Sequence, residues 1–297
     1  MKITIGSRGS DLALWQAHFV KDALQKLGHQ IDIKIIVTQG DKIQNLSFDK
    51  MEGKGFFTKE IEEALLNKEI DLAVHSHKDL ETTNPTGLTI GAVSYREKPT
   101  DLLLIRKESS VENKTIPVKV NAVIGTSAAR RKTQLMRLRP DCSIKDLRGN
   151  VPTRIQKLRD GLYDAIVLAT AGVERLKLDL SEFIAYEFKP DQFIPAPAQG
   201  VLALQIREVD LELKNALKEI HHTDVAESIA IERNVMKLMQ GGCQLPLGVY
   251  CEQKNKGYQV WASFSKDANS AAKTFYFEAD SNNGLAEKIT QQLKSEQ

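Results

Sequence analysis

The stretch Asp71-Leu72-Ala73-Val74-His75-Ser76-His77-Lys78-Asp79 decides how this chain is read. One acid is followed by three apolar residues and then by an abrupt crowd of ionisable groups. Continuous apolar runs mark strands buried on both faces of a parallel sheet, and ligands of open α/β sheets bind outside the strands' carboxyl ends. The polar cluster stands at that end, so the pattern reads as a buried strand opening into a site. A plain surface turn after a strand would give the same cluster, and the rest of the chain has to choose between them.

Working outward, the N-terminal segment supplies a neighbour for that strand. Lys2 to Gly6 alternates as a first strand, Gly6-Ser7-Arg8-Gly9-Ser10 turns the chain, and Ser10 is placed to cap the following helix. Leu12, Trp15, Phe19, Ala23 and Leu27 recur at helical spacing and predict its core face. Such a turn aims backbone N–H groups and the positive helix end at whatever lies above it, beside Arg8 and Ser10. Ile31 to Val37 predicts a second strand, and the polar run from Thr38 to Gly55 a long loop carrying Lys50 and Lys54. Loops of that length inside compact domains are often lids or binding loops. A helix from Thr58 to about Asn67 and a strand from Leu88 to Val93 flank the deciding stretch, and the chain leaves the first domain near Lys98-Pro99-Thr100.

A second unit echoes the first. Val123-Ile124-Gly125-Thr126-Ser127 parallels Thr4-Ile5-Gly6-Ser7, and Asp164-Ala165-Ile166-Val167 parallels Asp71-Leu72-Ala73-Val74. The intervals differ, so the echo is one of architecture rather than a sequence repeat. Two such α/β domains facing each other predict a cleft that can close about a hinge. From Ser127 to Arg159 ten Lys and Arg stand against two Asp, with no Phe, Tyr or Trp. Arginine forks suit carboxylates and phosphates, whereas single-stranded nucleic acids are usually held on aromatic platforms. A small polyanion is therefore the expected ligand. Arg130 and Arg131 open a helix and Arg148 precedes a Gly149-Asn150 turn, while Arg137, Arg139 and Arg159 fit ordinary solvated helix faces. Ala169 to Gly172 leads into a short helix ending near Leu176. The Pro-rich run Ile194 to Gly200 then crosses back, and Val201 to Ile206 is expected to rejoin the first sheet.

The 297 residues leave room for two or three domains, and a composition of 41% hydrophobic and 27% charged residues is that of a globular chain with a sizeable core. A net charge of +2 gives no global pull toward nucleic acid or membrane. No apolar run nears the roughly 20 residues that span a bilayer, and Met1 to Arg8 lacks a signal-peptide core. Cys142, Cys243 and Cys251 are sparse, odd in number and without metal-type spacing, which fits a reducing, cytoplasmic setting. After about Leu217 the texture changes to a small α+β domain: a helix from Ala226 to Met239, strand-like runs at Leu247–Tyr250, Tyr258–Ala262 and Thr274–Phe277, and a helix from Gly284. Between them, Gln240-Gly241-Gly242-Cys243-Gln244-Leu245-Pro246 puts one cysteine on an irregular, accessible loop, the context of a reactive or attachment thiol. Cys142 and Cys251 have no such context. The expected fold is thus α/β, with residues 1–97 and 195–215 as domain 1, 98–194 as domain 2, and 216–297 as domain 3.

Several of these segments together resemble the porphobilinogen deaminase (hydroxymethylbilane synthase) family. They are Leu12-Ala13-Leu14-Trp15-Gln16-Ala17, Gly53-Lys54-Gly55, His75-Ser76 with Lys78-Asp79, Arg148-Gly149-Asn150, Ala198-Gln199-Gly200 and Gly241-Gly242-Cys243-Gln244. The resemblance covers essentially the whole chain. It implies two periplasmic-binding-protein-like α/β domains forming a cleft, plus a small C-terminal α+β domain. It also implies an enzyme that joins four porphobilinogens head to tail, releases ammonia each time and frees a linear hydroxymethylbilane, a step of tetrapyrrole (haem-type) biosynthesis. By the same resemblance a dipyrromethane cofactor made from substrate is thioether-linked to Cys243 and primes the chain, with cofactor contacts at Lys78, Ser127, Arg130 and Arg131. Asp79 is implied as the catalytic carboxylate, stabilising positive charge on pyrrole nitrogens. Arg8, Ser10, Arg148, Arg154 and Arg175 fall to substrate or growing chain, and Lys54 and Phe57 to a loop over the cleft. No metal, nucleic acid, membrane or obligate protein partner is implied, and a monomer is expected. The acetate and propionate of each pyrrole make the growing chain a polyanion, and charged hydrogen bonds of about 1.5–3 kcal/mol each give the arginines a reason.

Three positions depart from the family pattern: Ala128 where a hydroxyl residue is common, His77 where an apolar one is usual, and Glu81 where proline is common. Two other readings stay open on the residues alone. A non-enzymatic anion-binding clamp explains the arginines but needs neither Asp79 nor the Gly-Gly-Cys loop. A transferase using Cys243 as a free nucleophile predicts an unmodified, alkylatable thiol.

Overall fold

The computed structural model describes residues 1–42, 57–112, 115–242, 244–254 and 257–295. They divide into two compact units, Met1–Glu97 with Gly200–Glu227, and Lys98–Gln199 with Ser228–Gln297. Unit 1 contains β1 (Lys2–Ser7), α1 (Asp11–Lys26), β2 (Gln30–Ile35), α2 (Gln39–Lys42), α3 (Lys59–Leu66), β3 (Leu72–Ser76), β4 (Leu88–Val93), β10 (Leu202–Arg207) and α7 (Leu211–Leu217). Its sheet runs β2-β1-β3-β10-β4. The first three strands are parallel, and β10, returning after the Pro-rich run, lies antiparallel between β3 and β4. The deciding stretch is therefore a central strand. Leu72, Ala73, Val74 and His75 are all buried, and the chain then tightens into a 3-10 turn, His77–Asp79, at the strand's carboxyl end.

Unit 2 contains β5 (Asp101–Arg106), β6 (Val123–Gly125), α4 (Ala129–Leu138), β7 (Ser143–Lys145), α5 (Val151–Arg159), β8 (Ala165–Ala169), α6 (Thr170–Leu176) and β9 (Phe183–Glu187). Its sheet order, β7-β6-β8-β5-β9, repeats the plan of unit 1 with β5 antiparallel to both neighbours. The C-terminal part adds α8 (Thr223–Leu238), the antiparallel meander β11 (Leu247–Lys254), β12 (Gly257–Phe264) and β13 (Lys273–Ala279), and α9 (Leu285–Lys294). Val235, Val249, Val260, Ile289 and Leu293 form the centre of its own core. The expected α/β class, with two five-stranded sheets of like plan and a small C-terminal α+β part, is what the chain has.

The echo between the halves is geometric. Asp71 exchanges hydrogen bonds with Thr4 at the foot of β1: its N–H donates to the Thr4 carbonyl (2.8 Å) and its carboxylate accepts the Thr4 N–H (2.9 Å). Asp164 does the same with Val123, at 2.9 and 2.8 Å. The acid before each apolar run is thus a register lock for the neighbouring strand. The glycine of each first strand is packed against the bulky residue before that acid: a Cβ at Gly6 would lie 2.3 Å from Ile70, and one at Gly125 would lie 2.8 Å from Tyr163.

Some expectations shift. The buried face of α1 is Gln16, Ala17, Val20 and Leu24, one step round from the predicted Leu12, Trp15, Phe19, Ala23 and Leu27, and Leu27 is exposed. Gln16 is drawn inward because its amide donates to Ser76 Oγ (2.9 Å), and Trp15 and Phe19 instead stack on one another at the helix flank. The stripe is broad, and periodicity alone does not say which half of it faces inward. The segment from Thr38 begins with the short helix α2 rather than an open loop, and residues 43–56, including Lys50 and Lys54, lie outside the described residues. Strands β5, β7 and β9 have no counterpart among the predicted elements. For β5 the signal is present, since Asp101-Leu102-Leu103-Leu104-Ile105 has the same acid-then-apolar form as the deciding stretch.

Candidate active site

In unit 1 the carboxyl ends of β1 and β3 and the N-terminal ends of α1 and α3 surround a pocket lined by Arg8, Ser10, Gln16, Phe57, His75, Ser76 and Asp79, among others. Ser10 caps α1 as predicted, its Oγ accepting the Ala13 N–H (3.4 Å). Asp79, at the end of the 3-10 turn, is exposed, and Lys78 beside it is half-buried. Arg8 is already engaged: its Nε and Nη2 fork onto Asp41 at 3.1 and 2.5 Å, and its guanidinium lies 4.2 Å from the centre of the Phe57 ring. Burial works against a charge on Asp41, but hydrogen bonds from Arg8 and Thr38 outweigh it and hold the carboxyl below its ordinary value. Phe57 thus reaches the pocket as a platform under a cation. His77 is buried and does not line the pocket; its N–H donates to the Val201 carbonyl (2.9 Å).

Two pocket residues do more than local pattern suggests. Gln16 holds the mouth of β3 through Ser76. His75, 6% exposed, shares a hydrogen bond of 3.2 Å with Gln205 on β10. Gln205 in turn donates to Glu62 (3.0 Å) on α3. Burial pushes the His75 ring down to about 4, with the Gln205 contact opposing, so the ring is neutral at physiological pH. Burial also raises Glu62, the Gln205 hydrogen bond counters this, and the nearby Glu81 adds to it.

In unit 2 the predicted arginines sort by burial. Arg130 and Arg131 are 6% and 5% exposed, and both grip Asp101, which is fully buried. Arg130 Nη1 donates to Asp101 Oδ2 (2.7 Å) and the Ile194 carbonyl (2.8 Å); Arg131 donates to Asp101 Oδ1 from Nε (3.1 Å) and Nη2 (2.7 Å), and from Nη1 to the Val167 carbonyl (3.0 Å). Gln199 completes the knot, donating to Asp101 Oδ1 and accepting from Arg130 Nη2. Burial pushes the Arg130 guanidinium below its usual value, Asp101 opposes this and the like charge of Arg131 adds to it. Each guanidinium has five N–H groups, so both keep donors beyond these contacts.

Ser127 bridges two loops, its Oγ donating to the Leu147 carbonyl and accepting the Leu147 N–H, both at 2.9 Å. Ala128 is the N-cap of α4 and gives it no side-chain cap. Asn150 caps α5, and Gly149 before it has φ +110 with a would-be Cβ 2.6 Å from Thr153, so only glycine fits that turn. Arg154 Nε donates to the Gly149 carbonyl (2.7 Å), which brings Arg148 and Arg154 to one turn, while Arg175 is buried on α6. Of the residues expected to face solvent, Arg159 does and pairs with Glu182. Arg139 does not: it is tied to Asp141 and to the carbonyls of Ile116, Val118 and Lys119. Arg137 donates to the Gln192 carbonyl (2.7 Å).

Cys243 lies outside the described residues. Its flanks are fixed: Gly241 N–H donates to the Met236 carbonyl and closes α8, and a Cβ there would meet Leu245 at 2.4 Å. The base of this element is anchored by Glu232, fully buried on α8, which accepts the Ala198 N–H (2.7 Å) and the Cys251 N–H (2.8 Å). Among the described residues no cluster of His, Cys, Asp and Glu could hold a metal, and no helix is long and apolar enough to cross a membrane.

Two sheets sharing one plan, with a carboxylate at the mouth of the central strand in one unit and an arginine-rich helix start in the other, make this an α/β protein. The family model described as "Porphobilinogen deaminase, dipyromethane cofactor binding domain" matches residues 3–215. Among curated relatives, "Porphobilinogen deaminase" of Oceanobacillus iheyensis is 44% identical over 251 residues, 84% of this chain and 80% of that one. The protein of the same name from Maridesulfovibrio salexigens is 45% identical over 255 residues, 84% and 80% of the two chains. The periplasmic VFT2 domain of Bordetella pertussis BvgS covers 78% of this chain and 92% of its own at 15% identity, a distant likeness with TM-score 0.43. The chain belongs to the porphobilinogen deaminase family.

Proposed function

We propose that this chain is a working hydroxymethylbilane synthase: it condenses four porphobilinogens, releases ammonia at each addition, and hydrolyses the product from a dipyrromethane primer held on Cys243. The observation that carries the reading is the family match over residues 3–215, which takes in every candidate side chain except Cys243. The residues suit an anionic dipyrrole. The Arg130–Arg131–Asp101 knot keeps one net positive charge with N–H donors to spare, and α4 begins without a side-chain cap, leaving its first N–H groups for another acceptor. We assign Ser127, Arg130 and Arg131 of unit 2 and Lys78 of unit 1 to the cofactor carboxylates. Arg8, Ser10, Arg148, Arg154 and Arg175 are assigned to substrate and growing chain, and Lys54 and Phe57 to the loop of unit 1. Bound to Cys243, the cofactor supplies the nucleophilic pyrrole that begins the chain.

Asp79 has the central chemical role. Loss of ammonia and carbon–carbon bond formation both place positive charge on pyrrole nitrogens. A carboxylate fixed at the strand mouth stabilises that charge, accepts the N–H groups and takes the proton lost when the ring regains aromaticity. Glu232 holds α8, and with it the base of the Cys243 loop, against β11 and the Pro-rich run. The three-domain division at 97/98, 194/195 and 215/216 and a monomeric state belong to this reading, as does work in the cytoplasm, for which the free thiols of Cys142 and Cys251 are the support.

The test is intact mass with peptide mapping. The purified protein, incubated with porphobilinogen if necessary, is expected to carry two porphobilinogens less two ammonias on Cys243, and Asp79→Ala to keep that adduct while losing turnover. An unmodified Cys243 after incubation, or wild-type turnover in Asp79→Ala, sinks the reading.

A further inference from the structure

Resting on that function, one buried side chain of the unit 1 pocket gains a specific task. On β3, Ala73 and His75 share the face that looks toward β10's Gln205 and α3. His75 Nε2 lies 3.2 Å from Gln205 Oε1. The orientation of that amide is fixed by its other end, because Gln205 Nε2 faces two oxygens, Glu62 Oε1 at 3.0 Å and Asn84 Oδ1 at 3.4 Å. Its oxygen therefore faces the histidine, and an oxygen can only accept. The imidazole must carry its hydrogen on Nε2. The same burial that excludes the doubly protonated ring leaves only one proton to place, so Nδ1 is a bare lone pair. Nδ1 hydrogen-bonds to no described residue, and His75 lines the pocket together with Asp79, Ser76 and Gln16.

We propose that His75 is a substrate-binding residue whose Nδ1 accepts an N–H of porphobilinogen, with Gln205 and Glu62 acting as positioning residues that lock the ring in its Nε2–H form. The pairing is chemically selective. Asp79 offers a charged acceptor where positive charge develops, whereas His75 offers a neutral one that neither repels the substrate's carboxylates nor takes up its proton. Two donors on porphobilinogen have this chemistry, the pyrrole N–H and the aminomethyl ammonium. Gln205 and His75 are 130 residues apart in sequence, so the lock exists only because β10 returns antiparallel beside β3.

The experiment uses the cofactor-loaded protein with 15N-labelled histidine. Long-range proton–nitrogen spectra at neutral pH are expected to show His75 as the Nε2–H tautomer, with the Nδ1 resonance moving upfield when porphobilinogen is added to the Asp79→Ala variant. Gln205→Leu should produce a mixture of tautomers. In steady state, His75→Leu removes the acceptor and should raise KM roughly tenfold, the equivalent of one ordinary hydrogen bond, with a smaller change in kcat. His75→Asn, whose amide oxygen stands near the Nδ1 position, should recover most of the loss. The N,N,N-trimethyl analogue of porphobilinogen, whose ammonium has no N–H, separates the donors: if it still shifts Nδ1 the pyrrole N–H is the partner, and if it does not the ammonium is. An Nδ1–H tautomer, or a wild-type KM in His75→Leu, overturns the proposal; should His75→Leu not fold, an unchanged tautomer in Gln205→Leu does so instead. The tautomer is read without turnover, so a protein that fails to polymerise porphobilinogen would refute the proposed function while the lock is still tested.

Discussion

Replacing Asp101 by Asn tests how the arginine pair is held. Asp101 is fully buried and accepts hydrogen bonds from Arg130 Nη1, Arg131 Nε and Nη2, and Gln199 Nε2, at 2.7 to 3.1 Å. Asparagine keeps the size but loses the charge and turns an N–H₂ toward donors. Two guanidinium groups would then share a low-dielectric site with no counter-charge. Removing one member of a buried pair costs about 3–5 kcal/mol, and the loss should lie at the upper end here because one carboxylate serves two cations. Against total stabilities of about 5–15 kcal/mol for a domain, that is close to unfolding unit 2. The assay is urea unfolding with hydrogen exchange of β5 and α4 amides, followed by the double variant Asp101→Asn with Arg130→Met. Removing one cation as well should return at least a third of the loss. A single variant within about 1 kcal/mol of wild type, the size of one ordinary hydrogen bond, would refute the reasoning; it would mean that solvent or ligand, and not Asp101, balances these arginines.

Other outcomes follow from single features. For His75, the folded ring titrates near 4 against an ordinary 6.5, so stability is fully present above about pH 6.5 and is lost as pH falls toward 4. The gap corresponds to about 3 kcal/mol, and denaturant titrations between pH 7 and 4 should show a flatter slope for His75→Asn than for wild type. Gly149→Ala forces a side chain into a left-handed backbone and onto Thr153; about 1–3 kcal/mol of stability should be lost, with a raised KM because Arg148 and Arg154 share that turn, as thermal melts and steady-state kinetics will read. Glu232→Ala strands two buried N–H donors at about 1–3 kcal/mol each, so α8 and β11 should lose exchange protection together, while Glu232→Gln, which keeps one acceptor, should lose about half as much.

The central strand, its burial and the site at its end are legible in the deciding stretch because all three follow from local pattern: apolar residues need a buried strand and ionisable ones need its mouth. Asp71 and Asp164 are visible as an echo, yet their purpose is not, since a register lock requires knowing which strand lies alongside. Asp101 shows the same limit from the other side. Its run has the recognisable acid-then-apolar form, but its partners Arg130 and Arg131 are about 30 residues away and meet it only once α4 packs over β5. The face of α1 is misplaced by periodicity because Gln16 is polar and buried, held by Ser76 60 residues on. His75 stands in a motif without a task of its own, because its partner comes from a strand that joins the sheet last. Non-local polar contacts are what local periodicity does not carry.

The same sorting changes what the basic window means. Ten cations between Ser127 and Arg159 suggest a broad electropositive surface. In the folded chain Arg130 and Arg131 share one buried acid, and Arg139 and Arg159 each have an acid of their own. Arg137 and Arg139 also donate to backbone carbonyls, those of Gln192 and of Ile116, Val118 and Lys119. Much of the charge is thus structural, there to pin loops and helix starts rather than to attract an anion from afar. This suits a polymerising enzyme. A surface that bound polyanions strongly everywhere would hold the finished tetrapyrrole as tightly as the intermediates. On the proposed function, a few placed donors, together with the neutral acceptor and the carboxylate at the unit 1 strand mouth, would grip each ring in turn and still let the product go.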